Sequence, residues 1–338
     1  MGKARFCLIG SGWRAEYFLR VAKTHSDEFE VACVLCRSQE KAEIIAERFD
    51  VNTTTKEEDV VNSNPDFIVV SVSRNAAWPI AAKWKKSGYC VIMETPMGDT
   101  LDEIEEIRNS KNDNGLLLVA EQYRYYPTYK KIIDAVKSGM IGEPVCVNAS
   151  IAHDYHGFNV IRELLQEPVN APFKMRTEKY DLPVTKTGDR FNIYTDGEIV
   201  TKNRAKVDIV YQNGRIGFYD FDSDQYHSTI RHNTLKVTGT RGEIIDGVCY
   251  YLDDKNEMTK AVLIEDFQFA REEKTDDENA VYELMSLAYK VGKMDDISDV
   301  DERNVVASRW EDNFDSGLLD AYMTVMMSRQ GQWIEVNA

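Results

Sequence analysis

Between Arg5 and Ala120, short and nearly continuous apolar runs alternate with segments of helical periodicity. The runs Phe6–Ile9, Val31–Cys36, Phe67–Val72, Tyr89–Met93 and Leu116–Ala120, with a weaker one near Val51, read as strands. Their β-branched, unbroken apolar character predicts central parallel strands buried on both faces, with the intervening helices as cover. Thr55 with Glu58, and Thr100 with Glu103, have capping-box spacing and mark helix starts. Six strands in this order predict a doubly wound α/β domain over residues 1–122.

After Gln122 the pattern changes. Helical periodicity over Thr128–Ser138, an apolar run at Val145–Ile151 and a second helical stretch at Gly157–Gln166 precede alternating segments separated by turns. Asp196-Gly197 and Asn213-Gly214 are hairpin signals, the second flanked by Val207–Tyr211 and Ile216–Phe221. An antiparallel sheet is therefore expected at the core of a second domain, residues 123–338. Pro168, Pro172 and Pro183 mark a long irregular stretch, either an active-site loop or a connection. A last helix, about Asn313–Arg329, turns Leu318, Leu319, Tyr322, Val325 and Met326 toward a core.

Length and charge narrow the function classes. A chain of 338 residues suits two domains. Lys plus Arg number 41 against 57 Asp plus Glu, a formal charge of −16, which argues against nucleic acid or an anionic membrane as partner. No apolar run approaches the ~20 residues that span a bilayer. The N-terminal apolar stretch is too short for a signal peptide, so a cytoplasmic location is the expectation. The six cysteines lie mostly in apolar runs and are expected as buried free thiols. Cys33 and Cys36 have redox-motif spacing but sit in a strand, which favours packing.

Gly10-Ser11-Gly12-Trp13-Arg14-Ala15 follows the first strand directly and opens a helix, the context a dinucleotide fingerprint requires. Gly10 permits the tight turn, Gly12 lets the backbone approach a pyrophosphate, and Ala15 allows close helix packing. The helix N-terminus adds unpaired N–H groups and a positive dipole end. A methyl donor could occupy such a turn, but its ribose, like that of NAD, would want a carboxylate ending the second strand. That strand ends Leu35-Cys36-Arg37-Ser38 instead. Arg37, and in second place Arg14, suit the 2′-phosphate of NADP, so NADP is favoured over NAD. The plainer alternative makes Arg37 a solvated residue at a helix start.

With these residues the chain resembles the Gfo/Idh/MocA oxidoreductases. The resemblance rests on Gly10–Ala15, Gly88-Tyr-Cys-Val-Ile-Met-Glu94-Thr95-Pro96, Arg124-Tyr-Tyr-Pro127, Gly139-Met-Ile-Gly142-Glu143 and Gly239-Thr-Arg-Gly242-Glu243, and it spans nearly the whole chain. It implies an N-terminal Rossmann domain followed by an α+β domain with a large, mostly antiparallel sheet. It also implies hydride transfer between NADP or NAD and a small polyhydroxylated substrate such as a sugar or cyclitol, in a homodimer or homotetramer.

Two departures from the family pattern matter. Glu94-Thr95-Pro96 stands where the family has Glu-Lys-Pro, and a threonine hydroxyl cannot replace an ammonium as proton donor. Thr95 is left to hydrogen-bond the substrate or the nicotinamide amide. Ser73-Arg74-Asn75-Ala76-Ala77-Trp78 stands for Thr-Pro-Asn-x-x-His, keeping Asn75 and placing Trp78 either near a cofactor or in simple packing.

The segment Ala152-His153-Asp154-Tyr155-His156-Gly157-Phe158-Asn159 matches the family's histidine motif. His156 falls on the histidine and Asn159 on the second acid, which makes His156 the acid–base candidate, with Asp154 or His153 beside it. Tyr123, Arg124, Tyr125, Tyr126 and Tyr129 suit a sugar or cyclitol ring and an acidic or phosphate group, or else line a domain junction. No Cys/His set has metal-ligand spacing, so no metal is expected. The competing reading is a dinucleotide-binding sensor or partner subunit without turnover.

Overall fold

The computed structural model describes residues 2–267 and 274–336. In chain order the elements are β1 (Ala4–Ile9), α1 (Ala15–Thr24), β2 (Phe29–Leu35), α2 (Gln39–Phe49), β3 (Thr53–Thr54), α3 (Glu57–Asn62), β4 (Phe67–Val70), α4 (Arg74–Lys86), β5 (Cys90–Met93), α5 (Leu101–Asn109) and β6 (Leu116–Val119). There follow α6 (Pro127–Lys137), β7 (Pro144–Ser150), α7 (Asp154–Leu165), β8 (Phe173–Thr185), β9 (Ile199–Tyr211), β10 (Ile216–Asp222), β11 (Thr234–Gly239), β12 (Gly242–Ile245), β13 (Val248–Leu252) and β14 (Met258–Val262). The chain ends with α8 (Lys274–Gly292), α9 (Val300–Met326) and β15 (Ile334–Val336). They form two compact units, Met1–Gln122 with Lys274–Tyr322, and Tyr123–Glu273 with Met323–Ala338. The expectation of a second domain running unbroken to residue 338 is thereby corrected, since Lys274–Tyr322 joins the first unit.

The first unit is a parallel six-stranded sheet in the order β3-β2-β1-β4-β5-β6. Every residue of β4 and β5 is buried, as continuous apolar strands covered on both faces must be. Ser38 caps α2 by accepting from Lys41 N–H, and Thr100 caps α5 by accepting from Glu103 N–H. Thr55 is not a cap: Lys56 precedes α3, and its N–H donates to Thr54 Oγ1. The free side of β6 is closed by α9, where Asn313 accepts from Val119 N–H at 2.8 Å and donates to Val119 O at 3.0 Å. Trp310 Nε1 donates to Leu117 O at 3.0 Å, so α9 takes up edge groups that would otherwise invite another strand.

The second unit is a nine-stranded sheet, β14-β13-β12-β11-β7-β10-β9-β8-β15, antiparallel except for the β7–β10 pair. Helix α7 packs on β7 and β10. Its Gly157 is required because a Cβ there would come within 2.6 Å of the Tyr219 ring. The proline-marked stretch is a strand for most of its length: β8 pairs with β9 from Phe173 to Thr185, and Pro183 faces Thr201. Strand β15 covers only Phe173–Met175, so at Pro183 the other side of β8 is an edge where a residue without N–H is tolerated. The last helix begins at Val300 rather than near Asn313, and α7 begins at Asp154, ahead of the glycine that suggested its start.

Candidate functional site

In the first unit β1 ends at Ile9 and the chain turns through Gly10 at a φ of 125°. A Cβ at position 10 would lie 1.9 Å from Ser71 O, so the turn runs against the end of β4 and only glycine fits. At Gly12 the same atom would meet nothing within 4 Å among the described residues. Open space above Gly12, followed by the start of α1 and the buried Ala15, is the cradle a pyrophosphate needs, so these residues fit a dinucleotide. Ser11 is half-buried, and Trp13 is 52% exposed with its ring edge-on to Tyr17.

The arginines divide. Arg14 is drawn inward, its Nε donating to Glu94 Oε1 at 2.9 Å and its Nη1 to Asp277 Oδ1 at 2.6 Å. Arg37 is exposed, between the end of β2 and the Ser38 cap of α2. Nothing in the sequence pairs Arg14 with Asp277, which lies 263 positions away on α8.

Ser73 Oγ donates to Asn75 Oδ1 at 2.9 Å at the start of α4. Trp78 is 8% exposed and its Nε1 donates to Glu106 Oε2 at 3.0 Å, so the placement near a cofactor gives way to packing between α4 and α5. Thr95 follows Glu94 at the end of β5, is half-buried, and enters a cis peptide bond with Pro96.

In the second unit His156 is buried within a ring cluster. Its centroid lies 4.3 Å from Tyr123, 4.4 Å from Tyr155 and 4.9 Å from His153. His153 precedes α7 with both ring nitrogens on phenols, Nδ1 at 2.5 Å from Tyr226 Oη and Nε2 at 2.9 Å from Tyr155 Oη. Its backbone N–H also donates to Tyr226 Oη at 2.8 Å. Asp154 opens α7 at a φ of 41°, in the left-handed region that few non-glycine residues other than Asn and Asp enter, and its N–H donates to Tyr219 Oη at 2.8 Å. Burial, reinforced by the Asp154 charge, pushes the Tyr219 phenol well above the usual tyrosine range.

Asn159 is fully buried one helical turn beyond His156. Arg124 donates to Glu163 Oε1 at 3.1 Å, and Lys137 Nζ donates to Glu163 Oε2 at 2.8 Å. Burial works against the charge on Glu163, but Arg124 and Lys137 outweigh it and hold the carboxyl down at about 2. Tyr219 and Tyr226 as partners of the histidine segment, and Glu163 as partner of Arg124, were not visible in the sequence, because their pairing depends on sheet register and helix placement. Among the described residues no group of three or more His, Cys, Asp or Glu could hold a metal ion.

Residues 4–122 match the sequence model of the GFO_IDH_MocA oxidoreductase family, NAD-binding Rossmann fold. Over these residues the chain is similar to the NAD-binding Rossmann domain of that family. No curated protein matches the chain. Solved structures of similar fold span both units. An oxidoreductase from Agrobacterium radiobacter in complex with NAD+, L-tartaric acid and magnesium is 14% identical, with a TM-score of 0.69 and 98% of each chain covered. A levoglucosan dehydrogenase in complex with NADH and levoglucosan is 14% identical, with a TM-score of 0.69, 99% of this chain and 100% of that one. An NAD-binding oxidoreductase from Klebsiella pneumoniae is 15% identical, with a TM-score of 0.70 and 99% of each chain. At such identities the likeness shows a shared fold, which extends over both units. Among the described residues no helix is long and apolar enough to cross a membrane.

Proposed function

We propose that the protein is an NAD(P)-dependent oxidoreductase acting on a small polyhydroxylated substrate such as a sugar or cyclitol. The observation that carries this reading is the glycine turn, closed against Ser71 at Gly10 and open at Gly12. When bound, the nicotinamide would supply or accept the hydride. Gly10, Ser11 and Gly12, with the N–H groups opening α1, would hold the pyrophosphate, and the exposed Arg37 would take the 2′-phosphate of NADP. Arg14 is assigned to holding Glu94 and Asp277 in place rather than to the phosphate.

With threonine at position 95, movement of the hydroxyl proton falls to an imidazole of the α7 entry, for which His156 is the candidate. Tyr123, Arg124, Asp154 and Asn159 are the proposed substrate-side residues. Calorimetric titration of cofactor-free protein with NADPH and then NADH tests the reading. Micromolar binding that favours NADPH supports it, and absence of heat with both nucleotides in folded protein defeats it.

The second reading, a dinucleotide-binding sensor or partner subunit, is favoured by Thr95 and by the burial of His156 and Trp78. Binding of NADPH with no turnover across a panel of sugars and cyclitols would put this reading first. The chain is further proposed to assemble as a homodimer or homotetramer.

A further inference from the structure

The cysteine pair that the fold brings together is not the one the sequence spacing suggests. Cys33 lies beside Cys7 across the β1–β2 pairing, where the register shifts between Phe6 and Cys7. The two Sγ atoms are 3.3 Å apart and both thiols are free. Ser63, at the end of α3, completes the group, its Oγ 3.1 Å from Cys7 Sγ and 4.0 Å from Cys33 Sγ. Because the Ser63 hydroxyl donates its proton to Val60 O at 2.8 Å, it meets the sulfurs as an acceptor. With Ser63 as acceptor the Cys7 thiol donates to Ser63 Oγ at 3.1 Å, and the Cys33 thiol is assigned to Cys7 Sγ at 3.3 Å in preference to the 4.0 Å contact with Ser63 Oγ. When Cys7 ionises, its sulfur still receives the Cys33 thiol proton.

We propose that Cys7 and Cys33 are an oxidation site at which a peroxide forms a reversible disulfide between β1 and β2. The Cys7 thiolate attacks one oxygen of the peroxide, giving a sulfenic acid and releasing hydroxide, which takes up the thiol proton as water. The Cys33 sulfur then displaces the sulfenic oxygen, the S–S bond forms, and the Cys33 proton leaves with that oxygen as a second water. Two thiols are oxidised and one peroxide is reduced to two waters. The sulfurs have to approach from 3.3 Å to about 2.05 Å, a local adjustment at two residues that already face each other across the β1–β2 pairing. The Cys33 hydrogen bond holds the Cys7 thiol below the usual cysteine range against the effect of burial, and holds Cys33 above it, which sets Cys7 as attacker and Cys33 as resolving thiol.

Access explains how such a pair reacts slowly without being inert. Cys7 and Cys33 are buried, and both sulfurs lie against Ser63, the half-buried residue that ends α3, a helix of six residues. A helix this short has little stability of its own and opens locally far more often than the sheet does. Cys36 lies three residues beyond Cys33, just past the end of β2, and along an extended strand that spacing puts the two side chains on opposite faces, which leaves Cys36 the poorer partner.

The test treats the native full-length chain with hydrogen peroxide, denatures it under an alkylating agent, and reads intact mass and a peptide map. The expected result is a loss of two of the six alkylatable thiols, a Cys7–Cys33 linked peptide, and recovery of both thiols with dithiothreitol. Cys33→Ser should abolish the link and leave a Cys7 sulfenic acid that dimedone traps, whereas Cys36→Ser should leave the link intact. Six alkylatable thiols after peroxide, or a link that contains Cys36, would overturn the proposal. The wild-type measurement needs no variant to fold.

Discussion

Arg14 Nε donates to Glu94 Oε1 at 2.9 Å, which ties the turn after β1 to the end of β5 within the first unit. Asp277 of α8 takes the Nη1 side of the same guanidinium, and the arginine and aspartate side chains are 12% and 8% exposed. Removing the arginine would leave two carboxylates in a poorly solvated place. Arg14→Ala should therefore destabilise the protein by about 3 kcal/mol, the lower end of the cost of breaking a buried pair. Urea unfolding followed by tryptophan fluorescence reads this directly. A change below about 0.5 kcal/mol would mean that the pair is solvated and contributes nothing.

Arg37 should behave in the opposite way, because it is exposed at the end of β2. Arg37→Asp should leave the urea midpoint unchanged and weaken NADPH binding at least about tenfold, or about 1.4 kcal/mol, while NADH binding stays nearly constant. The contrast between the nucleotides isolates the 2′-phosphate contact. Equal weakening of both would place Arg37 elsewhere in the cofactor site.

Glu163 gives the second unit a defined acid response. Its folded pKa is depressed to about 2, so its contribution is fully present above the ordinary glutamate value of about 4.3 and is lost as pH falls toward the folded value. The linkage sets an upper limit of about 3 kcal/mol on that loss. Glu163→Gln should be less stable than the native chain at neutral pH and should show a flatter decline in urea midpoint between about pH 5 and pH 2. Parallel declines for both proteins would show that Arg124 and Lys137 do not hold the carboxylate as tightly as their distances imply.

How far the sequence reveals this molecule depends on the range of each interaction. Strands β1, β2, β4, β5 and β6 and the glycine turn are legible because burial on both faces and a tight turn each demand local residue types. The hairpin at Asn213-Gly214 is legible for the same reason. Pairings across the fold are not. Cys33 meets Cys7 rather than Cys36 because parallel register decides, and Arg14 meets Asp277 because α8 returns to the first unit. Strand β8 was obscured because Pro183 within it, and Pro168 and Pro172 before it, carry a local turn signal that pairing with β9 overrides. Trp78 fell on a family position, but its environment is set by Glu106 on the neighbouring helix.

The entry to α7 stores backbone strain that one phenol secures. Asp154 has a positive φ, and its N–H reaches Tyr219 Oη, a hydroxyl on β10. Tyr219→Phe should cost about 1–2 kcal/mol by leaving that N–H without its acceptor, and should loosen the segment that carries His153 and His156. Asp154→Gly should offset part of the loss in the double variant, because glycine adopts the left-handed conformation without penalty. Thermal unfolding of the two single variants and the double variant closes the cycle. Strict additivity would show that the strain and the hydrogen bond are independent.

Assembly can be tested on the β8–β9 hairpin. Phe191, Ile193 and Ile199 at the hairpin end are 85%, 75% and 69% exposed, more than a monomer gains by displaying. The turn that presents them is ordered, since Asp189 Oδ1 accepts from the N–H groups of Phe191 and Asn192 at 2.8 and 2.9 Å. Residues 173–211 carry eight Lys and Arg against six Asp and Glu, in a chain whose total charge is −16. A positively charged hairpin on an acidic protein is attracted to a second copy of the same chain. Light scattering should give the mass of a dimer or tetramer, and Phe191→Asp with Ile193→Asp should shift it toward a monomer whose NADPH binding is unchanged. A native chain that scatters as a monomer at micromolar concentration would remove the assembly proposal.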